Sequence, residues 1–375
     1  MATSSSPAPT PTKPHHSYTQ RVDGIQNILR DDLALERQLK FTNKLPTKSI
    51  QSKPSFQQTK AKTSMYNSTP KLKPFLEKIV CPIGKVPIRR TTKDDLIKSK
   101  SSFNTEAEQV IPGIHAVEVY MRTKVNESFY GVSGTSSIYN PKVTSKDQTS
   151  ATHAWVQNGD GDGTNKIYVG WHVDPQLHGD DGTYAYSEWT SDNFKNTGCF
   201  NLRCPGFVQT SQQMFLDARV DRISVYDGVM IEMPITLTKD SETNNWWLSL
   251  DNTWVGYFPA ALFSNLKSAD KVGWGGRTTT TSATSIPPLG MVSPQMGSGY
   301  FPDYTFHHGS YFIHMQYQYQ PGEHANAIFV PPNKDRMNWV GDNEKCFGID
   351  YYGNIKDEGL GHSLEFGGPG GQCDA

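Results

Sequence analysis

The 375-residue sequence is poor in charge and lacks long apolar runs. Only 19% of its residues are Asp, Glu, Lys or Arg, whereas it contains 32 glycines, 24 prolines and 17 tyrosines. No apolar stretch reaches the length of a membrane-spanning helix or of a signal peptide, so we expect no membrane span. This composition disfavours a helical protein and predicts an all-β globular body.

The charges that are present are divided unevenly along the chain. Residues 1–110 contain 19 Lys and Arg against 9 Asp and Glu, whereas residues 111–375 contain 17 against 28. The basic part lacks the motifs and the interleaved aromatic residues of proteins that read RNA or DNA. We therefore expect no nucleic-acid partner, and we expect the N-terminal region to dock on the acidic remainder of its own chain.

The N-terminal third divides into segments of different composition. Residues 1–18 are dominated by Pro, Ser and Thr and are predicted to be a disordered tail. Residues 19–110 are predicted to be mostly extended, with one amphipathic helix where apolar residues recur at helical spacing between Tyr18 and Leu45. Residues 46–75 are rich in Lys, Ser, Thr and Pro, which is typical of a linker.

Alternation of apolar and polar residues takes over in residues 111–375. The run from Tyr311 to Gln320 has the period of a half-buried antiparallel strand. Similar runs occur at His115–Thr123, Asp221–Leu237 and Trp246–Tyr257. Turn residues separate such runs, and only Pro259–Lys267 looks helical. We predict a β-sandwich of two packed antiparallel sheets.

A set of aromatic and glycine-rich motifs in this part is unusual. The segment from Trp189 to Thr210 reads WTSDNFKNTGCFNLRCPGFVQT. It is accompanied by GW at 170–171, NWW at 245–247, WGG at 274–276, QMGSGYFP at 295–302 and FGGPGGQC at 366–373. In order and spacing this set resembles the plant neprosin family of glutamic, proline-directed peptidases. The resemblance implies a neprosin-like domain at 111–375 and an activation-peptide-like region at 19–110.

The chain departs from this family at both catalytic positions. The family glutamates lie in segments that read roughly E-A-G-W and W-G-G-E, whereas this chain has YVGW with Tyr168 and WGGR with Arg277. A glutamic peptidase needs one ionised carboxyl to activate water and one protonated carboxyl to donate a proton. Tyr is a poor base near neutral pH and Arg does not release its proton. We therefore name no catalytic residue and expect a degenerate peptidase.

A third departure lies next to the WTSD motif. The family usually has Tyr before the Trp of this motif, and this chain has Glu188. If residues 166–173 and 183–190 form a hairpin, positions 168 and 188 lie opposite each other. We hypothesise that Glu188 pairs with Arg277. The alternative is that Glu188 is a rim residue unrelated to the site.

Three functions follow from the resemblance and the departures. The first is a protein that has lost proteolysis but binds Pro-rich peptides in a groove lined by Trp171, Trp189 and Trp274, although such rings can also be core residues. The second is an active acid endopeptidase that cleaves after proline and uses Glu188. The third is a structural secreted or wall-associated protein.

Cysteines and sequons bear on the compartment. The resemblance implies the disulfides Cys199–Cys204 and Cys346–Cys373, and hence a secreted, extracellular or vacuolar protein. With these disulfides Cys81 is left over, either free or paired between molecules; the alternative is a set of five reduced core cysteines. Asn67 and Asn126 begin sequons for N-glycosylation.

The sequence predicts no cofactor and no metal site. Residues 158–165 read NGDGDGTN, which is similar to a calcium loop, but the distal Glu of an EF-hand is absent and a hairpin turn is favoured. The histidine pairs His15-His16 and His307-His308 lack further ligands at useful spacing.

Overall fold

A computed structural model describes residues 32–40, 43, 53–56, 81–82, 84–96, 113–280, 292–320, 328–341, 344–356 and 358–373. Within these residues the strands are β1 (Ile114–Arg122), β2 (Gly131–Ser137), β3 (Gln148–Asn158), β4 (Asn165–Val173), β5 (Thr183–Thr190), β6 (Cys199–Phe200), β7 (Val208–Gln209), β8 (Glu232–Lys239), β9 (Trp246–Leu250), β10 (Thr253–Phe258), β11 (Lys271–Thr280), β12 (Ser310–Gln318), β13 (Phe329–Val330), β14 (Met337–Gly341), β15 (Gly348–Ile355) and β16 (Gly361–Gly367). Helical residues are 32–40, 93–96 and Pro175–His178, with 3₁₀ turns at Gly161–Gly163, Ala260–Leu262 and Lys334–Arg336.

The described strands form two antiparallel sheets. The first has seven strands in the order β14-β1-β11-β3-β4-β5-β6. The second has nine strands in the order β15-β16-β12-β2-β8-β9-β10-β7, with β13 paired to β12. One hydrophobic core contains side chains from both sheets. The predicted all-β sandwich is therefore confirmed.

Side-chain alternation explains how each strand contributes to this core. In β4, Ile167, Val169 and Trp171 pack into the core. Tyr168 belongs to a separate aromatic cluster on the other face of the same sheet. Because successive residues of a strand point to opposite faces, the sequence between core residues decides what the outer face presents.

The predicted hairpin between residues 166 and 190 is present with the expected register. β4 pairs with β5, and Tyr168 lies opposite Glu188. Residues 158–165 connect β3 to β4 through a 3₁₀ turn, as the hairpin interpretation of this loop predicts.

Three expected elements differ from the structure. The run Trp246–Tyr257 is two strands rather than one, because Asp251 and Asn252 both adopt positive φ (47° and 55°) and turn the chain between β9 and β10. Of the run Asp221–Leu237, only the part from Glu232 is a strand. Ser224 closes the preceding loop by donating to the carbonyl of Ile231 and accepting from its N–H.

The helix expected at Pro259–Lys267 is a single 3₁₀ turn, Ala260–Leu262. Two asparagine side chains hold the backbone outside a helical path. Asn245 accepts from the Ala260 N–H at 3.0 Å, and Asn165 accepts from the Asn265 N–H at 3.1 Å. Such side-chain bonds compete with the helical backbone ladder.

Only part of the N-terminal prediction can be compared with the structure. Residues 32–40 are helical, within the amphipathic helix expected between Tyr18 and Leu45. The expected tail at 1–18, including His15-His16, and the sequon at Asn67 lie outside the described residues. Among the described helices, none has the length and apolar character needed to cross a bilayer.

Candidate functional site

The face of the seven-stranded sheet that points away from the core carries charged and aromatic side chains. Alternation and register in β1, β3, β4, β5 and β11 place them together. We call this set the sheet-face cluster: Glu118, His153, Trp155, Lys166, Tyr168, Tyr186, Glu188 and Arg277. All of them are buried except Arg277, whose side chain is 11% exposed.

The two positions that the resemblance aligns with family glutamates come together in this cluster. Tyr168 is on β4 and Arg277 is on β11, with β3 between these strands. The guanidinium carbon of Arg277 lies 5.0 Å from the centroid of the Tyr168 ring. This distance is within the range of a cation–π contact. The sequence comparison therefore identified two positions that share one site.

Glu188 joins the same contact from β5. Nη2 of Arg277 donates to Oε2 of Glu188 at 3.0 Å, and the Glu188 side chain is fully buried. This ion pair is the one hypothesised from the sequence, so Glu188 is not a rim residue. Oε1 of Glu188 is buried and has no hydrogen-bond partner among the described residues.

A second buried carboxylate, which the sequence analysis missed, lies on the same face. Glu118 of β1 contacts Nε2 of His153 at 2.7 Å, and Nδ1 of His153 contacts the Tyr186 hydroxyl at 2.7 Å. Since an ionised carboxylate only accepts, Nε2 carries the proton and donates to Glu118, while the Tyr186 hydroxyl donates to Nδ1. Glu118, His153 and Tyr186 thus form a continuous hydrogen-bonded chain.

The pKa shifts in this chain agree with that assignment. Burial acts to raise the pKa of Glu118, but the Lys166 charge and the His153 hydrogen bond outweigh it and hold this pKa below its ordinary value. Burial lowers the pKa of His153 and outweighs the hydrogen bond that His153 donates to Glu118, which acts to raise it. The pair is therefore an ionised Glu118 and a neutral His153 near neutral pH.

Lys166 supplies the second positive charge of the cluster. Its Nζ lies 4.0 Å from the centroid of the Trp155 ring and 4.4 Å from that of Tyr168. Lys166 and Arg277 together balance the charges of Glu118 and Glu188. A buried set of two cations and two carboxylates can persist because each charge has a close partner or a π-face.

The expectation that Trp171, Trp189 and Trp274 line a groove is wrong. All three indoles belong to the core between the sheets, with exposures of 0%, 7% and 0%. Trp171 donates to the Ser137 carbonyl at 2.9 Å and Trp274 to that of Ser133 at 3.1 Å. Strand parity is the reason, because position 171 is three residues from 168 and therefore faces the other side.

A segment of the N-terminal region docks at the edge of this site. Asp95 is buried and forms an ion pair with Arg203. Arg203 also donates to the Leu177 carbonyl at 3.2 Å and lies 3.4 Å from Asp217. Burial acts to raise the pKa of Asp95, but hydrogen bonds from Thr92 and the charge of Arg203 hold it below its ordinary value.

Two buried histidines lie beside this junction. Their Nε2 atoms, in His172 and His178, are 2.8 Å apart, and His178 stacks on Tyr184 with ring centroids at 3.7 Å. Burial lowers the pKa of each histidine well below its ordinary value, and the charge of Arg203 acts in the same direction on both.

Cysteine pairing follows the family pattern. Cys199 is joined to Cys204, and Cys346 to Cys373. Cys81 is the free cysteine. Asn126 is exposed in the turn after β1, with φ of 64°. Its side chain is therefore accessible to solvent, as a glycosylation site requires.

In the part of the chain that the structure describes, no three His, Cys, Asp or Glu side chains are placed to hold a metal ion. His308 instead contacts Asp303 through Nδ1 at 2.7 Å. That hydrogen bond raises the pKa of His308.

Comparison with known proteins adds a family and several distant structures. The model of the Neprosin family matches residues 146–369, which is more than half of the chain. A crystal structure of Scytalido-glutamic peptidase with a peptide-based transition-state analog is 12% identical, with a TM-score of 0.36, and covers 68% of this chain and 98% of its own. CG-16, a homodimeric agglutinin from chicken liver, is 8% identical, with a TM-score of 0.24, and covers 44% of this chain and 96% of its own. A glycoside hydrolase family 16 endo-glucanase from Bacteroides ovatus is 15% identical, with a TM-score of 0.27, and covers 45% of this chain and 69% of its own.

Proposed function

Because the chain belongs to the neprosin family, we propose that it is a member that binds proline-containing peptides without cleaving them. One observation carries the loss of cleavage. Tyr168 and Arg277 occupy the two glutamate positions, and Arg277 is bonded to the buried carboxylate of Glu188 at 3.0 Å. An ion pair therefore stands where the family chemistry requires two carboxyls with different protonation states.

The chemistry of these groups explains why such a site does not hydrolyse peptides. A guanidinium does not release its proton in proteins, and the guanidinium of Arg277 donates to Oε2 of Glu188. Glu188 is thus the acceptor in this contact and not a proton donor to the leaving nitrogen. Glu118 is held ionised, and it is bonded to His153. Neither carboxyl of the cluster supplies the general acid that a glutamic peptidase needs.

Contacts within the chain support peptide binding. The described residues 84–96 are the intramolecular example, because the domain bonds to their backbone carbonyls. Gln209 donates to the carbonyl of Pro87, and Gln212 donates to that of Lys85 at 2.6 Å. Gln212 also donates to the carbonyl of Pro82 at 3.1 Å. Proline fixes its own φ and has no backbone N–H, so a proline-containing segment offers carbonyl acceptors that suit glutamine donors.

One observation favours a second candidate, an acid endopeptidase that cleaves after proline. Oε1 of Glu188 is buried and has no hydrogen-bond partner among the described residues. A carboxylate oxygen in this state can accept a proton from a water molecule that enters the site. This mechanism would still need a group that releases a proton to the leaving nitrogen, a role that Arg277 cannot fill.

The decisive assay uses the full chain and a quenched fluorescent peptide with a single proline, at acidic and at neutral pH. We expect no cleavage by the wild type. Cleavage after proline that disappears in Glu188→Gln would overturn the proposal in favour of the acid endopeptidase. A triple variant, Tyr168→Glu, Glu188→Tyr and Arg277→Glu, restores the family arrangement, and cleavage by this variant alone would locate the loss in these three residues.

Binding is measured separately, by fluorescence anisotropy of a labelled proline-rich peptide that lacks a cleavable bond. We expect saturable binding by the wild type, reduced by competition from its own residues 82–87, and weaker binding still by Gln209→Ala/Gln212→Ala. Binding that is absent from the wild type would leave a structural protein as the better interpretation. A peptide with alanine in place of each proline is the matched control.

A further inference from the structure

A second group of aromatic residues lies on the outer face of the nine-stranded sheet. Trp246 and Leu248 of β9 pack into the main core, whereas Trp247 between them belongs to a separate cluster on the other face. Trp254 and Tyr257 of β10 join this cluster, with ring centroids 6.0 Å and 4.9 Å from that of Trp247. These rings form an aromatic platform that is remote from the sheet-face cluster, on the other sheet.

Phe56 of the N-terminal region covers this platform. Its side chain is 5% exposed, and its ring meets that of Trp254 edge to face at 5.5 Å. Beside it a cavity of about 310 Å³ is lined by Lys53, Pro54, Phe56, Thr210 and Trp254. An edge-to-face contact adds to the stabilisation that burial of an aromatic ring provides.

Asp240, next to the end of β8, binds the residue that precedes Phe56. Its Oδ2 accepts from the Ser55 N–H and its Oδ1 from the Ser55 hydroxyl, each at 2.8 Å. The same carboxylate accepts from the N–H groups of Glu242 and Thr243, which fixes its orientation. One carboxylate thus accepts hydrogen bonds from both the backbone N–H and the side-chain hydroxyl of a single residue. Only Ser or Thr offers these two donors so close together.

The charge state of Asp240 fits this role. The residue is fully buried, and burial acts to raise its pKa. The Ser55 N–H is the largest of the contributions that outweigh burial and hold the pKa of Asp240 below its ordinary value. Ser55 therefore contributes to keeping this buried carboxylate ionised.

We propose that Asp240, Trp247 and Trp254 form a docking site for a short peptide in which Ser is followed by Phe. The occupant is the chain's own segment at residues 53–56, which holds the N-terminal region on the domain. Residues 46–75 have the composition of a linker, and Ser55 reaches a partner 185 residues away. A serine–phenylalanine pair in such a stretch acts as a local anchor.

The anchor predicts retention of the N-terminal region after cleavage of the chain. A cut between residue 56 and the domain would leave residues 53–56 bound through contacts that do not depend on chain continuity. Release would then follow dissociation from the platform rather than cleavage itself. This consequence is independent of whether the sheet-face cluster hydrolyses peptides.

The test uses the full chain with Ser55→Ala/Phe56→Ala, which vacates the site, and a labelled peptide of residues 51–59, QSKPSFQQT. We expect the peptide to bind this variant at least about tenfold more tightly than the wild type, whose site is occupied. Peptides with Ala at the serine or at the phenylalanine should each lose about tenfold or more in affinity. Addition of Trp254→Ala to the vacated variant should abolish binding.

Three results would overturn the proposal. The first is equal binding of the native and the substituted peptides, and the second is equal binding by the vacated variant and the wild type. Thermal unfolding of each variant shows whether its domain is folded, and the vacated variant changes only residues outside the sandwich. The third is a vacated variant that is folded but does not bind the native peptide.

Discussion

Arg277 and Glu188 form an ion pair across two intervening strands, with Nη2 and Oε2 3.0 Å apart. Arg277 extends from β11 and Glu188 from β5, and β3 and β4 lie between them. Tyr168 lies opposite Glu188 in the register, and its ring contacts the guanidinium. The three departures from the family motifs are therefore one coupled structural unit.

Removal of one partner of this pair should cost more stability than removal of both. Arg277→Met leaves a buried carboxylate without its countercharge, and we expect it to lower the free energy of unfolding by about 3 to 5 kcal/mol. The double variant Glu188→Leu/Arg277→Met should lie within about 2 kcal/mol of the wild type. Urea unfolding of the four proteins of this cycle measures the coupling.

The matched control is Arg219, whose ion pair with Asp180 is about half exposed on both sides, at 48% and 41%. Arg219→Met should cost less than about 1 kcal/mol. Equal losses for Arg277→Met and Arg219→Met would show that the Glu188 pair behaves as an ordinary surface contact.

Asp95 should control how firmly the N-terminal segment is docked. Asp95→Asn removes the charge that pairs with Arg203, and we expect trypsin to cleave after Arg89 or Arg90 roughly tenfold faster. The neighbouring Asp94 is exposed, so Asp94→Asn is the control and should leave the rate unchanged. Mass spectrometry of the fragments over time gives both rates. Similar rates for the two variants would exclude an anchoring role for Asp95.

Strand parity accounts for both the success and the failure of sequence-based site prediction. Positions 168 and 188, which were expected to face each other in a hairpin, are paired in the structure. Trp274, which was expected in the groove, is three residues from Arg277 and therefore faces the core. The alternation of side chains along a strand, which predicted the strands themselves, also places Trp274 and Arg277 on opposite faces of the sheet.

Other features of the site could not be derived from local patterns. Glu118 and His153 interrupt apolar strands, which signals a buried polar face, but their contact depends on the order of β1, β11 and β3 in the sheet. The strands β1 and β11 are far apart in sequence, and no local propensity determines their pairing. Local turn chemistry does mark one boundary, because Asp251-Asn252 is a favourable pair for a two-residue hairpin.

The two buried histidines should make the folded state less stable in mild acid. Burial holds the pKa values of His172 and His178 well below the ordinary value, whereas the unfolded chain takes up protons near pH ~6.5. Below that pH the unfolded state binds more protons, so stability is lost as the pH falls. The limit is about 1.4 kcal/mol per pH unit for each histidine.

The variant His172→Gln/His178→Gln should therefore show a flatter decline of the unfolding midpoint between about pH 6.5 and 5. His308 is the control, because its hydrogen bond to Asp303 raises its pKa. The stability that His308 contributes is present at low pH and is lost as the pH rises through its folded pKa. His308→Gln should thus leave the acid-side decline in place. An unchanged slope in the double variant would assign the acid sensitivity to other groups.

The two disulfides should differ in how much they stabilise the domain. Cys346 and Cys373 are separated by 27 positions and Cys199 and Cys204 by 5. In the chain-entropy description, loss of the longer loop costs about 3.5 kcal/mol and loss of the shorter one about 2 kcal/mol. We therefore expect Cys346→Ala/Cys373→Ala to lower the free energy of unfolding by about 1.5 kcal/mol more than Cys199→Ala/Cys204→Ala. Urea unfolding of both double variants under oxidising conditions measures this difference. A larger loss from the Cys199 pair would mean that local packing around β6, rather than loop closure, determines what these bonds contribute.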